Sequence, residues 1–176
     1  MPKIIEDVRL TILREARPIL LTLGYDRLNL RGVAKASGIA VSTVYNYFDS
    51  KDALVRAIFE EDWQPMLVQL RTFANIVCTP IEGLRMSVAT IRELITVYST
   101  AWIQYRNIYR SSIILAENHE LIIQDMFDII HPMMLRFQPD YNPVLSRFLV
   151  QTVVALAAEK NVQFDTCLPI FEKLCN

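Results

Sequence analysis

Residues 33–48 read Val33-Ala-Lys-Ala-Ser-Gly-Ile-Ala-Val-Ser-Thr-Val-Tyr-Asn-Tyr-Phe48. A glycine interrupts a helix-compatible run, and hydroxyls, an asparagine and two tyrosines follow it. Glycine accepts positive φ without steric cost, so Gly38 is where one short helix stops and a second leaves at an angle. Ala34, four residues earlier, is small enough for two helices to cross closely. Val33, Ile39 and Val44 are the apolar residues that lock them together. The second helix then offers Ser42, Thr43, Tyr45, Asn46 and Tyr47 outward, with Val41 at its start. A DNA major groove is wide enough for one helix carrying such a face.

The flanks extend the same pattern. Ile5, Val8, Ile12, Ala16, Ile19 and Leu23 recur at steps of three and four, the apolar stripe of a first helix that Gly24 stops. Asn29 caps the helix that begins near Leu30. Downstream, Ser50 caps a fourth helix, with Asp52 in its first turn where the helix dipole favours an acid. That helix reaches into the 70s, and Pro65 is a candidate kink. Thr79-Pro80-Ile81-Glu82 is a helix start in which Thr caps, Pro takes the first position and Glu completes a capping box. Further helices are expected to about 99, over 101–116, over 118–137 with Pro132 inside, from Asn142-Pro143 to about 161, and after Asp165.

Composition agrees with an all-α fold. Hydrophobic residues make up 52% of the 176 and charged residues 21%, enough for a packed core. Four glycines and eight prolines are too few for a turn-rich β protein. No apolar run reaches the roughly 18 residues of a membrane span, and the N-terminus lacks the apolar stretch of a signal peptide. Cys78, Cys167 and Cys175 have no metal-like spacing and are read as reduced thiols in a cytoplasmic protein. Residues 1–57 carry nine Lys/Arg against six Asp/Glu, net +3, and residues 58–176 carry nine against thirteen, net −4. The positive end coincides with the helix pair around Gly38.

Over about residues 5–58 the sequence resembles the TetR family of bacterial transcription regulators. The resemblance rests on Leu23-Gly-Tyr25, Val33-Ala-Lys-Ala-Ser-Gly38, Thr43-Val-Tyr45, Tyr47-Phe48 and Ser50-Lys-Asp-Ala-Leu54. It implies a three-helix helix-turn-helix domain over 1–50, joined by a long helix of about 50–75 to a helical effector-binding and dimerisation domain within 51–176. It implies double-stranded DNA as partner, with Asn29, Val41, Ser42, Thr43, Tyr45, Asn46, Tyr47 and Lys51 as the DNA-facing set. Tyr45 matches a tyrosine that contacts the DNA backbone, Lys51 a lysine that reaches a phosphate, and Thr43 a small hydroxyl on the recognition helix. Three positions depart from the family pattern: Ala40 stands for a capping Ser, Asn29 for Thr and Tyr47 for His. The family's mechanism is repression relieved when a ligand shifts the long helix and changes the separation of two recognition helices.

Beyond residue 60 two features carry functional readings. Met86, Tyr98, Trp102 and Tyr105 form an apolar-aromatic row, read either as core or as a pocket for an apolar or aromatic effector. The 143–160 helix is apolar on more than one face. Leu145, Phe148 and Val153 on it, with Ile122, Met126 and Ile130 on the preceding helix, are the expected homodimer interface. No cofactor is implied. Two other classes stand beside the regulator: a ligand- or protein-binding module with a degenerate helix-turn-helix, favoured by Ala40, and a small helical enzyme using Asp125, Asp128 and His131. The chain has no nucleophile triad, phosphate loop or paired-cysteine site, which argues against the enzyme.

Overall fold

The computed structural model describes residues 7–99 and 113–175. Among them are eight α-helices and no strand. They are α1 (Val8–Leu23), α2 (Leu30–Ser37), α3 (Val41–Tyr47), α4 (Lys51–Ile76), α5 (Pro80–Val97), α6 (Ile113–Phe137), α7 (Pro143–Ala158) and α8 (Phe164–Leu174). Among the described residues no helix is long and apolar enough to cross a membrane. The described residues fall into two compact units. One runs up to Asp62 and takes in a segment from Val97; the other is Trp63–Thr96 with the chain from Leu115 on.

The first unit is built as the punctuation predicts. Asp7 caps α1 by accepting from the Leu10 N–H at 3.0 Å, and α1 ends at Gly24, φ 82°. Its buried face is Ile12, Leu13, Ala16 and Leu20. Leu23, expected on that stripe, is 55% exposed, because the buried face runs through Leu13 and Leu20 instead. A 3-10 turn, Tyr25–Arg27, leads to α2. The Asn29 carboxamide accepts from the Gly32 N–H at 2.7 Å, satisfying one of the free donors at the helix start. Gly38 ends α2 in the left-handed region, φ 68° and ψ 20°. α1 packs on α2 and α2 on α3, around a core that includes Leu28, Val33, Val44, Leu54 and Ile58.

The second unit is held at its helix ends. The Thr79–Glu82 capping box is closed: Glu82 N–H donates to the Thr79 hydroxyl at 3.3 Å, and the Glu82 carboxylate accepts from the Cys78 and Thr79 N–H groups at 3.0 and 3.3 Å. α6 starts at Ile113, so residues 113–137 form one helix where two were expected to meet near 117. α7 stops at Ala158, three residues short of the expected end. There the Arg92 guanidinium from α5 lies 2.8, 3.3 and 3.0 Å from the carbonyl oxygens of Leu156, Glu159 and Val162. Arg136 does the same for α4, donating to the carbonyls of Ala74 and Val77. α5 and α6 approach so closely at Gly83 that a Cβ there would overlap the Met133 thioether. The indole N–H of fully buried Trp63 donates to Asp125 at 2.8 Å.

Two substitutions separate backbone from side-chain causes. Gly38→Ala meets nothing within 4 Å, so its cost is the left-handed φ alone, about 1–2 kcal/mol. Arg92→Met removes the carbonyl contacts while keeping an aliphatic stem and is expected to cost about 2 kcal/mol. Urea unfolding of both variants, with unchanged m values, checks these figures.

Candidate nucleic-acid interface

α3 is a seven-residue helix with one fully buried side chain, Val44, and that residue sets its orientation. Ser37 seals the turn below it, its hydroxyl donating to the Val33 carbonyl at 2.8 Å. With Val44 pinned inward, the helical period puts Val41, Ser42, Tyr45, Asn46 and Tyr47 outside, and all five are exposed. Thr43 is half-buried. Exposed tyrosines at 45% and 48%, beside a valine at 41%, are an unusual solvent face for so short a helix. Phe48 instead turns into the core at 4% exposure. Ala40 makes no side-chain cap, yet α3 begins at Val41 and the Val44 N–H reaches the Ala40 carbonyl at 3.1 Å.

Lys51 opens α4 and is half-buried. Its ammonium lies 3.8 Å from the centre of the Tyr25 ring. Tyr25 is itself buried, and its hydroxyl donates to Asp52 at 2.5 Å. Desolvation holds the Lys51 amine below the usual lysine range, while Asp26 and Asp52 pull it back up. Asn29 is exposed and already occupied as the α2 cap. Arg27, Arg31 and Lys35, all exposed along the turn and α2, add positive charge to the same unit. They are absent from the expected DNA-facing set. The positive balance of residues 1–57 was their only sequence signal.

The remaining expected site residues are distributed more widely. Tyr98 is buried in the first unit, its ring edge-on to Phe59 at 5.7 Å and its hydroxyl donating to Asp62 at 2.6 Å. Burial and then Asp62 push that phenol above the ordinary tyrosine range. Asp62 is also paired with Arg17 of α1 at 2.8 Å, which in turn meets Glu61 at 2.6 Å. Met86 is half-buried on α5; Trp102 and Tyr105 lie outside the described residues. Of the expected dimer residues, Leu145 and Phe148 are exposed, at 40% and 53%, and Ile122 is half-buried. Met126, Ile130 and Val153 have no exposed surface and fill the core of their own unit.

Asp125, Asp128 and His131 do not converge. Asp125 accepts from Trp63, Asp128 from Gln124 at 2.9 Å, and His131 shares a 2.9 Å hydrogen bond with the buried Ser146. Among the described residues no three His, Cys, Asp or Glu side chains group as metal ligands. Cys78, Cys167 and Cys175 are unpaired by disulfides, and burial pushes the Cys175 thiol up to about 11.

Comparison with known proteins locates this architecture. Residues 12–58 match the family model described as bacterial regulatory proteins, tetR family. The HTH-type transcriptional regulator UidR of Escherichia coli K12 is 27% identical over 97 residues, 55% of this chain and 46% of UidR. The chain thus aligns with about half the length of that relative. The transcriptional regulator FadR from Bacillus subtilis, solved in complex with stearoyl-CoA, superposes with TM-score 0.65 at 15% identity, covering 95% of this chain and 97% of that one. The TetR family regulator CifR, solved as a cysteine mutant with 26-base-pair double-strand operator DNA, gives TM-score 0.53 at 18% identity, covering 99% and 98%. At these identities the structural likenesses establish the fold.

Two variants divide anchoring from reading. Lys51→Ala is expected to weaken binding to every duplex and to lower the salt slope by about one unit. Asn46→Ala is expected to cost roughly 1–3 kcal/mol at particular base pairs only. Anisotropy titrations on a selected site and on a random duplex across salt concentrations distinguish them.

Proposed function

We propose that this chain, whose residues 12–58 match the family model of bacterial regulatory proteins, tetR family, is a DNA-binding transcriptional repressor of that family. In this reading it binds a near-palindromic site in double-stranded DNA as a homodimer and is released by a small apolar or aromatic effector. One observation carries the reading: a short helix pinned by buried Val44 and turned by Gly38 holds out a row of polar and aromatic side chains that its own fold does not use. Val41, Ser42, Tyr45, Asn46 and Tyr47 read base edges and backbone in a major groove, Thr43 and Asn29 line its margin, and Lys51 holds a phosphate. The operator complex of CifR supports the mode.

Support for the dimer comes from α7, where Val144, Leu145 and Phe148 are exposed near one end of the helix. Support for an apolar effector comes from the stearoyl-CoA complex of the Bacillus subtilis FadR, whose ligand carries a long acyl chain. The effector must prefer the DNA-free state to have any effect. Such a regulator works in the cytoplasm. The rival module with a degenerate helix-turn-helix rested on Ala40. An α3 that begins on register without a side-chain cap weakens that rival.

Selection of genomic fragments by the purified chain is expected to enrich one near-palindromic sequence; failure to enrich any would favour the binding module. In sedimentation, Phe148→Asp is expected to convert a dimer to the 20.3 kDa monomer while leaving the fold intact. Val153→Asp instead unfolds the chain, because Val153 is buried in its own core. Acyl and aromatic compounds that bind should weaken operator affinity by roughly 5- to 150-fold, and operator should weaken theirs by the same factor. A ligand indifferent to operator removes the regulatory claim.

A further inference from the structure

Lys51 occupies an electrostatically awkward place. It is the first residue of α4, where the positive end of the helix dipole disfavours a cation. It is also half-buried, which disfavours the charged amine further. Yet the ammonium is held, and what holds it is visible. The Tyr25 ring lies beneath it at 3.8 Å, and the Asp26 and Asp52 carboxylates favour its charge. The ring cannot swing away. Tyr25 is 4% exposed, sits in the 3-10 turn fixed by Gly24, and its hydroxyl is tied to Asp52, the residue after Lys51.

We propose that Tyr25 is the positioning residue for DNA anchoring: its ring holds the Lys51 ammonium in place before and during contact with a phosphate. This rests on the reading of Lys51 as a phosphate anchor. An ammonium has three N–H donors. The ring engages one side of the group and leaves donors for an anion on the other. A lysine otherwise surrenders much side-chain freedom when it grips a phosphate; here that freedom is already lost in the free protein. Phosphate contacts are independent of sequence, so Tyr25 acts on all duplexes alike.

A double-mutant cycle on a random duplex of about three turns tests this without knowledge of the operator. Tyr25→Leu is expected to weaken binding roughly two- to tenfold, the ordering cost of a long side chain that binding must then meet. It should do so only while Lys51 is present and have no effect in the Lys51→Ala background. Tyr25→Phe keeps the ring and should bind like the parent. Equal losses in both backgrounds make the ring a general structural element and overturn the proposal. No loss, or tighter binding, overturns it too, because the ring would then compete with DNA for the ammonium. An unchanged salt dependence in Lys51→Ala alone removes the anchor itself, a distinct failure. Should Tyr25→Leu not fold, the unmutated protein answers by NMR. The Lys51 ε-methylene protons are expected upfield from the ring current and to stay there when the duplex is added; loss of the shift on addition overturns the proposal.

Discussion

The left-handed backbone at Gly38, φ 68°, is the constraint on which the exposed face of α3 depends. It turns the chain between α2 and α3 within three residues, and Val44 then drops into the core and fixes the rotation of α3. Once that rotation is set, the exposure of Tyr45, Asn46 and Tyr47 is a consequence of helical period and not of any contact they make. An L side chain at position 38 would have open space around it, so the requirement for glycine there is wholly one of backbone conformation.

A second theme is how helix ends are closed. A helix leaves its last carbonyls without partners, and the dipole makes that end negative. Among the described residues a distant guanidinium answers at two such ends, Arg92 at the end of α7 and Arg136 at the end of α4. Each supplies a charge-assisted donor and a positive charge together. Both tie elements far apart in sequence. No local sequence pattern announces them.

Three cations of the first unit are seated by specific partners. Arg17 is gripped by Glu61 and Asp62, and Asp62 also takes the Tyr98 hydroxyl. Arg9 lies over the Phe48 ring at 5.9 Å, and Lys51 over Tyr25. In each case the positive group is held by a ring or a carboxylate of its own unit.

By itself the sequence determined most of the described helices and many of their ends. Asn29, Gly38, Ser50 and the Thr79–Glu82 box act through bonds within four residues, so local reading recovers them. It also determined most of the outward set on α3, where Thr43 alone of the expected residues is half-buried, because a seven-residue helix with one anchor leaves little choice. Tertiary structure alone decided which apolar residues are core and which are surface on helices greasy on several faces. Period could not tell Val153, at no exposure, from Phe148 at 53%, since both are apolar and only the neighbouring helices choose between them. Tertiary structure likewise decided the fate of polar residues whose partners are distant in sequence. Asp125 went to Trp63, 62 residues away, and Tyr98 to Asp62, 36 away. A hydrogen bond of that span leaves no periodic trace, because it is made by the packing of elements and not by the spacing of residues along one of them.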